Sequence, residues 1–304
     1  MVGILNLDKP RGMTSAHAVA RLRRSSGERR VGHGGTLDPL ATGVLPVFFG
    51  RATLLAGVMT DHAKVYVAEI RFGQASSTDD AEGELTPVAL SEEIDEVLFN
   101  ERMARFVGRV NQRPPAFSAI SVGGERSYRQ ARRQVAAGAT VLEPLAEREV
   151  VVHDLRLVKL APAPPGDSTQ GPLAIVEVTC GPGYYVRALA RDLGAVMGTA
   201  AHLEGLRRTR VGPFYVSSSI SLEEAESAGP GIAARLLPSA TVLDAVGCCQ
   251  VAAGSLLALG RGGSVPVEGG RDGNGWATDS AGRVLALGEV RAGLFHPRRL
   301  VELT

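Results

Sequence analysis

The chain has 304 residues, of which 44% are apolar, and its formal net charge is +1. This length favours one large and one small domain, and the apolar share excludes global disorder. No apolar run approaches the roughly 18–20 residues that cross a bilayer, and residues 1–9 lack the charged start and cleavage site of a signal peptide. We therefore expect a cytoplasmic protein without a membrane span.

Charge is unevenly distributed near the N-terminus. Residues 1–64 hold nine basic and four acidic side chains, whereas residues 65–100 hold nine acidic side chains and one basic one. A basic segment beside an acidic one fits a localised contact with a polyanion, although ordinary solvated faces give the same pattern. The three cysteines, two of them adjacent, show no C-x-x-C spacing and no Cys/His cluster, which argues against a disulfide framework or a structural zinc site.

Local patterns predict strands and helices along the first half of the chain, from apolar periodicity, capping residues and turn residues. The predicted elements are a strand at 3–7, a helix capped by Thr14 or Ser15 that ends near Gly27, a glycine-rich loop at 32–43, a strand at 65–72, a helix that opens at Ser91 and a helix at 125–137.

In the second half, the same signals predict a strand at 173–180, a helix from Val186 that stops at Gly198, and a helix opened by the capping box Ser221–Glu224. From about residue 241 the chain changes to short β-like runs broken by glycine. The absence of a regular βαβ alternation favours an α+β fold, with a catalytic domain at 1–238 and a small β-rich domain at 239–304. No glycine-rich phosphate-binding motif is present, so nothing indicates a nucleotide cofactor.

The segment 32–43 is the densest in residues that could carry chemistry. Its glycines allow the backbone to approach a ligand closely, and Pro39 stiffens the position after Asp38. On spacing alone, an aspartate before proline is more often a turn residue than a catalytic one.

The sequence of this segment, GHGGTLDPLATG, closely resembles the catalytic motif of the TruB family of tRNA pseudouridine synthases. Further segments in the same order are similar to other motifs of that family: residues 7–15, 64–66, 78–83, 112–120, 183–187 and 202–208. The resemblance spans residues 3 to about 215 and implies a mixed-sheet α+β catalytic domain. A weaker resemblance beyond residue 241 implies a small PUA-like RNA-binding domain.

The resemblance implies an isomerase that flips uridine 55 out of the tRNA T-loop and converts it to pseudouridine, with no cofactor and no metal. Asp38 is implied as the catalytic carboxylate, Tyr66 as the aromatic platform for the loose uracil, and Arg187 as the cation that pairs with the carboxylate. Implied substrate contacts are His33, Tyr185 and Leu206 around the flipped nucleotide, and Lys9, Arg207 and Arg208 on phosphates. Core packing for Tyr66 and solvated surfaces for the basic residues are the structural alternatives.

Two other functions stay open. One is the RNA-guided pseudouridine synthase of a ribonucleoprotein, although this chain lacks lysine-rich tails. The other is a non-catalytic protein that binds or folds tRNA, against which the set Asp38, Tyr66 and Arg187 argues. We expect a monomer that needs tRNA but no protein partner.

Overall fold

The structure, a computed structural model, describes residues 1–118, 121–122, 125–126, 128, 133–134, 144–166, 170–243, 247–268 and 271–301. These residues belong to two compact units, one of Met1–His62 with Arg210–Thr304 and one of Ala63–Thr209. The helix predicted at 125–137 lies mostly outside the described residues, and its first two residues form a short strand instead.

The strands, in chain order, are β1 (Gly3–Lys9), β2 (Val31–His33), β3 (Thr42–Phe49), β4 (Lys64–Phe72), β5 (Gln74–Ser76), β6 (Leu85–Pro87), β7 (Gly108–Gln112), β8 (Ser121–Val122), β9 (Glu125–Arg126), β10 (Arg148–Ala161), β11 (Leu173–Cys180), β12 (Ala201–Val211), β13 (Phe214–Tyr215), β14 (Ile220–Ser221), β15 (Cys248–Val251), β16 (Val265–Glu268), β17 (Gly273–Thr278), β18 (Val284–Arg291) and β19 (Leu294–Leu300). The α-helices are α1 (Ser15–Ser26), α2 (Glu96–Met103), α3 (Val186–Val196), α4 (Leu222–Ser227) and α5 (Leu256–Gly260). More tightly wound 3-10 helices occupy Gly50–Thr60, Ala104–Phe106, Val216–Ser218, Gly229–Arg235, Ser239–Val242 and Ala253–Ser255.

The first unit is built on a mixed sheet around β1. This strand pairs in parallel with β14 and antiparallel with β3, and β2 extends the pairing along β3. The predicted first helix is confirmed as α1. The Thr14 side chain accepts a hydrogen bond from the backbone N–H of His17, and the helix ends at Gly27, whose φ of 71° suits glycine.

The C-terminal part of the first unit is a closed barrel with strand order β15-β16-β19-β18-β17, which confirms the predicted β-rich segment. The barrel has its own apolar core. A second cluster joins Val242, Val284 and Val301 with Phe48 and Leu55, so residues on both sides of position 238 share one core. The division at residue 238 stays a prediction.

The second unit carries the strand order β12-β4-β11-β10-β7. Antiparallel pairing joins β4 to β11, β11 to β10 and β10 to β7, and α3 packs against β4. The predicted strands at 65–72 and 173–180 are confirmed as β4 and β11, and the predicted helix from Val186 as α3. The helix expected from Ser91 begins at Glu96, because Asp95 provides its cap by accepting from the N–H of Leu98.

No α-helix among the described residues is long and apolar enough to cross a bilayer.

Candidate active site

Asp38 lies half-buried in the loop between β2 and β3, and the backbone is anchored on both sides of it. The buried Ser15 hydroxyl accepts a hydrogen bond from the N–H of Leu37 at 2.8 Å and donates to the carbonyl of the same residue at 2.9 Å. On the other side, the N–H of Gly12 donates to the Pro39 carbonyl at 2.9 Å. The backbone on both sides of Asp38 is therefore held in place.

Close packing beneath this loop requires a glycine at position 34. A Cβ on Gly34 would lie 2.7 Å from side-chain atoms of both Phe48 and Met59. His33, the last residue of β2, is half-buried and lies in register with Val47 of β3. The glycines of the motif thus allow the loop to lie against β3 and the 3-10 helix that follows it.

Lys9 supports the turn that anchors the loop. Its side chain is 0% exposed, and its ammonium group donates to the carbonyls of Pro10 and Met13 at 2.8 Å each. These bonds fix the turn from which Gly12 reaches the loop. The phosphate contact predicted for Lys9 has no exposed ammonium to act through in this conformation.

Arg187 lies in the first turn of α3, in the second unit, and its guanidinium is almost completely buried. It donates to the carbonyl of Thr78 at 3.2 Å and to that of Phe117 at 2.8 Å. It also lies 3.5 Å from the Asp80 carboxylate. A buried guanidinium needs acceptors for its five N–H donors, and these contacts supply several of them.

Asp80 is itself fixed by hydrogen bonds. Its side chain accepts from the Thr78 hydroxyl at 2.6 Å and from the N–H of Glu82 at 3.1 Å. The preceding residue, Asp79, accepts at its carbonyl from the N–H of Leu203 on β12 at 3.0 Å. The acidic loop at 78–83 is therefore an ordered partner of Arg187 and of β12.

The start of α3 is fixed by a side chain from β7. The amide of the buried Gln112 accepts from the N–H of Tyr185 at 2.9 Å and donates to its carbonyl at 3.0 Å. Both amide atoms are used, so the backbone two residues before Arg187 is held in place. Tyr185 itself is half-buried.

The remaining predicted site residues of this unit lie on β4 and β12, which are neighbours in the sheet. Tyr66 is a buried residue of β4, while Leu206 and Arg207 of β12 are half-buried. Arg208 is 1% exposed, one of the largest fully buried side chains among the described residues. The phosphate contact of Arg208, like that of Lys9, stays a prediction.

The sequence analysis missed a second acidic and basic group beside Arg187. Arg191 follows it by one helical turn, and its guanidinium lies 3.1 Å from the Asp79 carboxylate. Burial raises the pKa of Asp79, while Arg191 and Arg187 act in the opposite direction. The i,i+4 spacing of the two arginines, which places them on one helix face, is the signal that could have revealed this group.

Among the described residues, no three His, Cys, Asp or Glu side chains lie close enough together to hold a metal ion.

Comparison with known proteins gives the class of this fold. It is shared with the archaeal box H/ACA Nop10–Cbf5 complex (TM-score 0.72, 20% identity, 99% of this chain and 86% of that chain). An H/ACA ribonucleoprotein bound to a substrate RNA containing 2′-deoxyuridine gives the same TM-score of 0.72 at 21% identity, over 99% of this chain and 85% of that one. This chain therefore shares the fold of those structures.

Sequence comparison is more specific. The profile of the TruB family pseudouridylate synthase N-terminal domain matches residues 23–186, and that of the tRNA pseudouridylate synthase B C-terminal domain matches residues 187–238. The tRNA pseudouridine synthase B of Thermobifida fusca is 43% identical over 301 residues, 97% of each chain. That of Bradyrhizobium diazoefficiens is 40% identical over 314 residues, 99% of this chain and 86% of the relative. The chain belongs to the TruB family of pseudouridylate synthases.

The segment that leads into α3 yields a stability prediction. The Tyr184 hydroxyl is buried without a hydrogen-bond partner among the described residues, and burial raises its pKa. An unsatisfied buried polar group costs about 1–3 kcal/mol. Tyr184→Phe should therefore leave the free energy of unfolding in urea unchanged or higher.

The exposed Tyr215 provides the matched control, because Tyr215→Phe removes a hydroxyl that water can solvate and should leave stability unchanged. A loss of more than about 1 kcal/mol in Tyr184→Phe would show that its hydroxyl makes a stabilising bond after all.

Proposed function

We propose that the chain is a stand-alone tRNA pseudouridine synthase that isomerises uridine 55 of the T-loop without a cofactor or metal. The observation that carries the proposal is Asp38, half-buried on a loop whose backbone is anchored at Leu37 and Pro39. The substrate class is supported by relatives named tRNA pseudouridine synthase B, which match nearly the whole chain at about 40% identity.

The reaction breaks the bond between uracil N1 and ribose C1′, turns the base, and joins C1′ to C5. The base must first leave its stack. The Asp38 carboxylate either attacks C1′ or removes a proton from the ribose, and it stabilises positive charge at C1′. No atom is oxidised and no chemical group is gained, so the reaction requires no cofactor or metal.

Two further residues are proposed to act on the same nucleotide. The Tyr66 ring holds the loose uracil, and its hydroxyl assists the late loss of the C5 proton. Arg187 is proposed as the cation that pairs with the Asp38 carboxylate. The buried, hydrogen-bonded setting of the Arg187 guanidinium supports this role, because it keeps the charge in one orientation.

The proposed RNA contacts differ in exposure. His33, Tyr185 and Leu206 are half-buried and are proposed to surround the flipped nucleotide. Arg207 is half-buried as well and is proposed to bind a phosphate. We propose that the C-terminal barrel, which exposes Arg298 and Arg299, is a PUA-like second RNA contact and that the enzyme acts as a cytoplasmic monomer without an obligatory partner.

The RNA-guided alternative gains no specific support. The two H/ACA structures are 21% and 20% identical to this chain, so they are evidence for the fold alone. A non-catalytic role would not explain why the loop that carries Asp38 is anchored on both sides of the carboxylate.

Asp38→Asn tests the proposal directly. The asparagine is nearly isosteric, so the anchors at Leu37 and Pro39 should survive, while the charge and the nucleophilic or basic oxygen are lost. On an unmodified tRNA transcript, with no guide RNA, metal or nucleotide added, wild-type protein should form pseudouridine at position 55. The variant should lose several powers of ten in single-turnover rate, each worth about 1.4 kcal/mol, while binding tRNA with similar affinity.

Asp61→Asn is the matched control, since Asp61 is an exposed acid of the same unit outside the family motifs. It should turn over at the wild-type rate. Near-normal turnover by folded Asp38→Asn, or a wild type that is inactive until a guide RNA is added, would contradict the proposal.

The exposure of the basic residues predicts which of them binds phosphate. Arg207→Ala should weaken tRNA binding and reduce the slope of log affinity against log salt by roughly 0.7–0.9, the value of one phosphate contact. The exposed Arg105 provides the control, and Arg105→Ala should leave the slope unchanged. If Arg207→Ala also leaves it unchanged, Arg207 does not bind phosphate.

A further inference from the structure

Arg191 contacts two distant segments of the chain, one at Asp79 and one at Arg113. Its guanidinium lies 3.1 Å from the Asp79 carboxylate and donates to the carbonyl of Arg113 at 2.8 Å. It also donates to the neighbouring Asp192 at 2.9 Å. The side chain is about one-third exposed, so it is neither a core residue nor a free surface arginine.

The two segments that Arg191 contacts are the ones that hold Arg187. Arg187 binds the carbonyls of Thr78 and Phe117. Arg191 binds Asp79, the next residue after Thr78, and Arg113, four residues before Phe117. Arg187 and Arg191, one turn apart on α3, therefore bond to the same two segments, and each segment is held by both arginines.

The turn at Asp79 needs this support. Asp79 has a φ of 62°, in the left-handed region, although it is not a glycine. That conformation is less favourable for a residue with a Cβ than for glycine, although aspartate adopts it more readily than most. Its carboxylate is also mostly buried, and burial raises its pKa. The ion pair with Arg191 acts against the cost of burial without cancelling it, and it holds the turn in the shape that presents the Thr78 carbonyl and Asp80 to Arg187.

We propose that Arg191 and Asp79 form a positioning pair that fixes the guanidinium of Arg187 for the isomerisation. The inference rests on the proposed function, because it assigns the pair a role in the chemical step. Neither residue is proposed to touch RNA. Misplacement of a reacting constellation by a fraction of an ångström lowers the rate, whereas binding through phosphates elsewhere is unaffected.

The test compares Arg191→Gln, Arg191→Lys and Asp79→Asn with wild type in three measurements: single-turnover pseudouridine formation, tRNA affinity and urea unfolding. Arg191→Gln should slow the reaction by about tenfold, or 1.4 kcal/mol of barrier, while tRNA affinity changes by less than about twofold. Arg191→Lys should recover part of the rate, because an ammonium keeps the charge pair but lacks the fork that spans Asp79 and the Arg113 carbonyl.

A double variant tests the coupling. If the pair acts as a unit, Asp79→Asn with Arg191→Gln should be no slower than the slower single variant. The matched control is Arg156→Gln, which breaks an arginine–glutamate pair elsewhere in the same unit, Arg156 with Glu177 at 2.8 Å across β10 and β11. This control should turn over at the wild-type rate.

The outcomes separate this inference from the proposed function. A wild-type protein that forms no pseudouridine in tRNA overturns the function itself. An active wild type with an equally fast Arg191→Gln overturns only the positioning pair. So does a multiplicative loss in the double variant, or a loss of affinity equal to the loss of rate. If Arg191→Gln fails to fold, Arg191→Lys decides, and a wild-type rate in that variant contradicts the need for the fork.

Discussion

The burial of one guanidinium organises the second unit. Arg187 is only 7% exposed, and a cation removed from water must be met by acceptors or it destabilises the fold. Here the acceptors are two backbone carbonyls and a carboxylate, from Thr78, Phe117 and Asp80. The segments that carry Thr78 and Phe117 both bond to this side chain, so its burial couples the positions of the two loops. The helix that carries Arg187 is in turn pinned by Gln112.

In the first unit, buried polar side chains likewise hold a loop in place, the loop that carries Asp38. The buried Ser15 bonds to the backbone of Leu37, the residue before Asp38, and the buried Lys9 donates to the carbonyls of Pro10 and Met13 in the turn beside the loop. Replacing such a partner would leave buried carbonyls and N–H groups unsatisfied, which is costly. Lys9 and Arg208, two basic residues expected on phosphates, are buried, whereas Arg207 is half-buried. The contact of each with a phosphate stays a prediction.

Sequence periodicity and caps predicted part of this fold. β1, β4, β11, α1 and α3 follow from these signals, because the signals are local. β7 and β12 were not among the predicted strands, and neither was β3, whose apolar run contains Pro46. The strand accommodates this proline opposite Asn6 of β1, and the Pro46 carbonyl accepts from the N–H of Gly34. Only the folded chain shows that pairing.

The site was predicted residue by residue from motifs, but not its supporting contacts. The pair of Asp79 and Arg191 joins residues 112 positions apart, and the bond between Gln112 and Tyr185 spans 73 positions. No local pattern encodes such distances. The burial of Lys9 was equally hidden, since a lysine in a turn normally faces water. Sequence therefore identified the residues expected to react, and the structure adds the ones that hold them.

The proposed isomerisation depends on the guanidinium group of Arg187, with its several N–H donors, and not on its charge alone. Arg187→Lys tests this most directly, because it keeps the charge but cannot span the carbonyls of Thr78 and Phe117. The measurement is single-turnover pseudouridine formation beside tRNA affinity, on protein shown to be folded. We predict a loss of at least about 100-fold in rate, or 2.7 kcal/mol, with affinity nearly unchanged. A lysine variant that works at close to the wild-type rate would contradict the account.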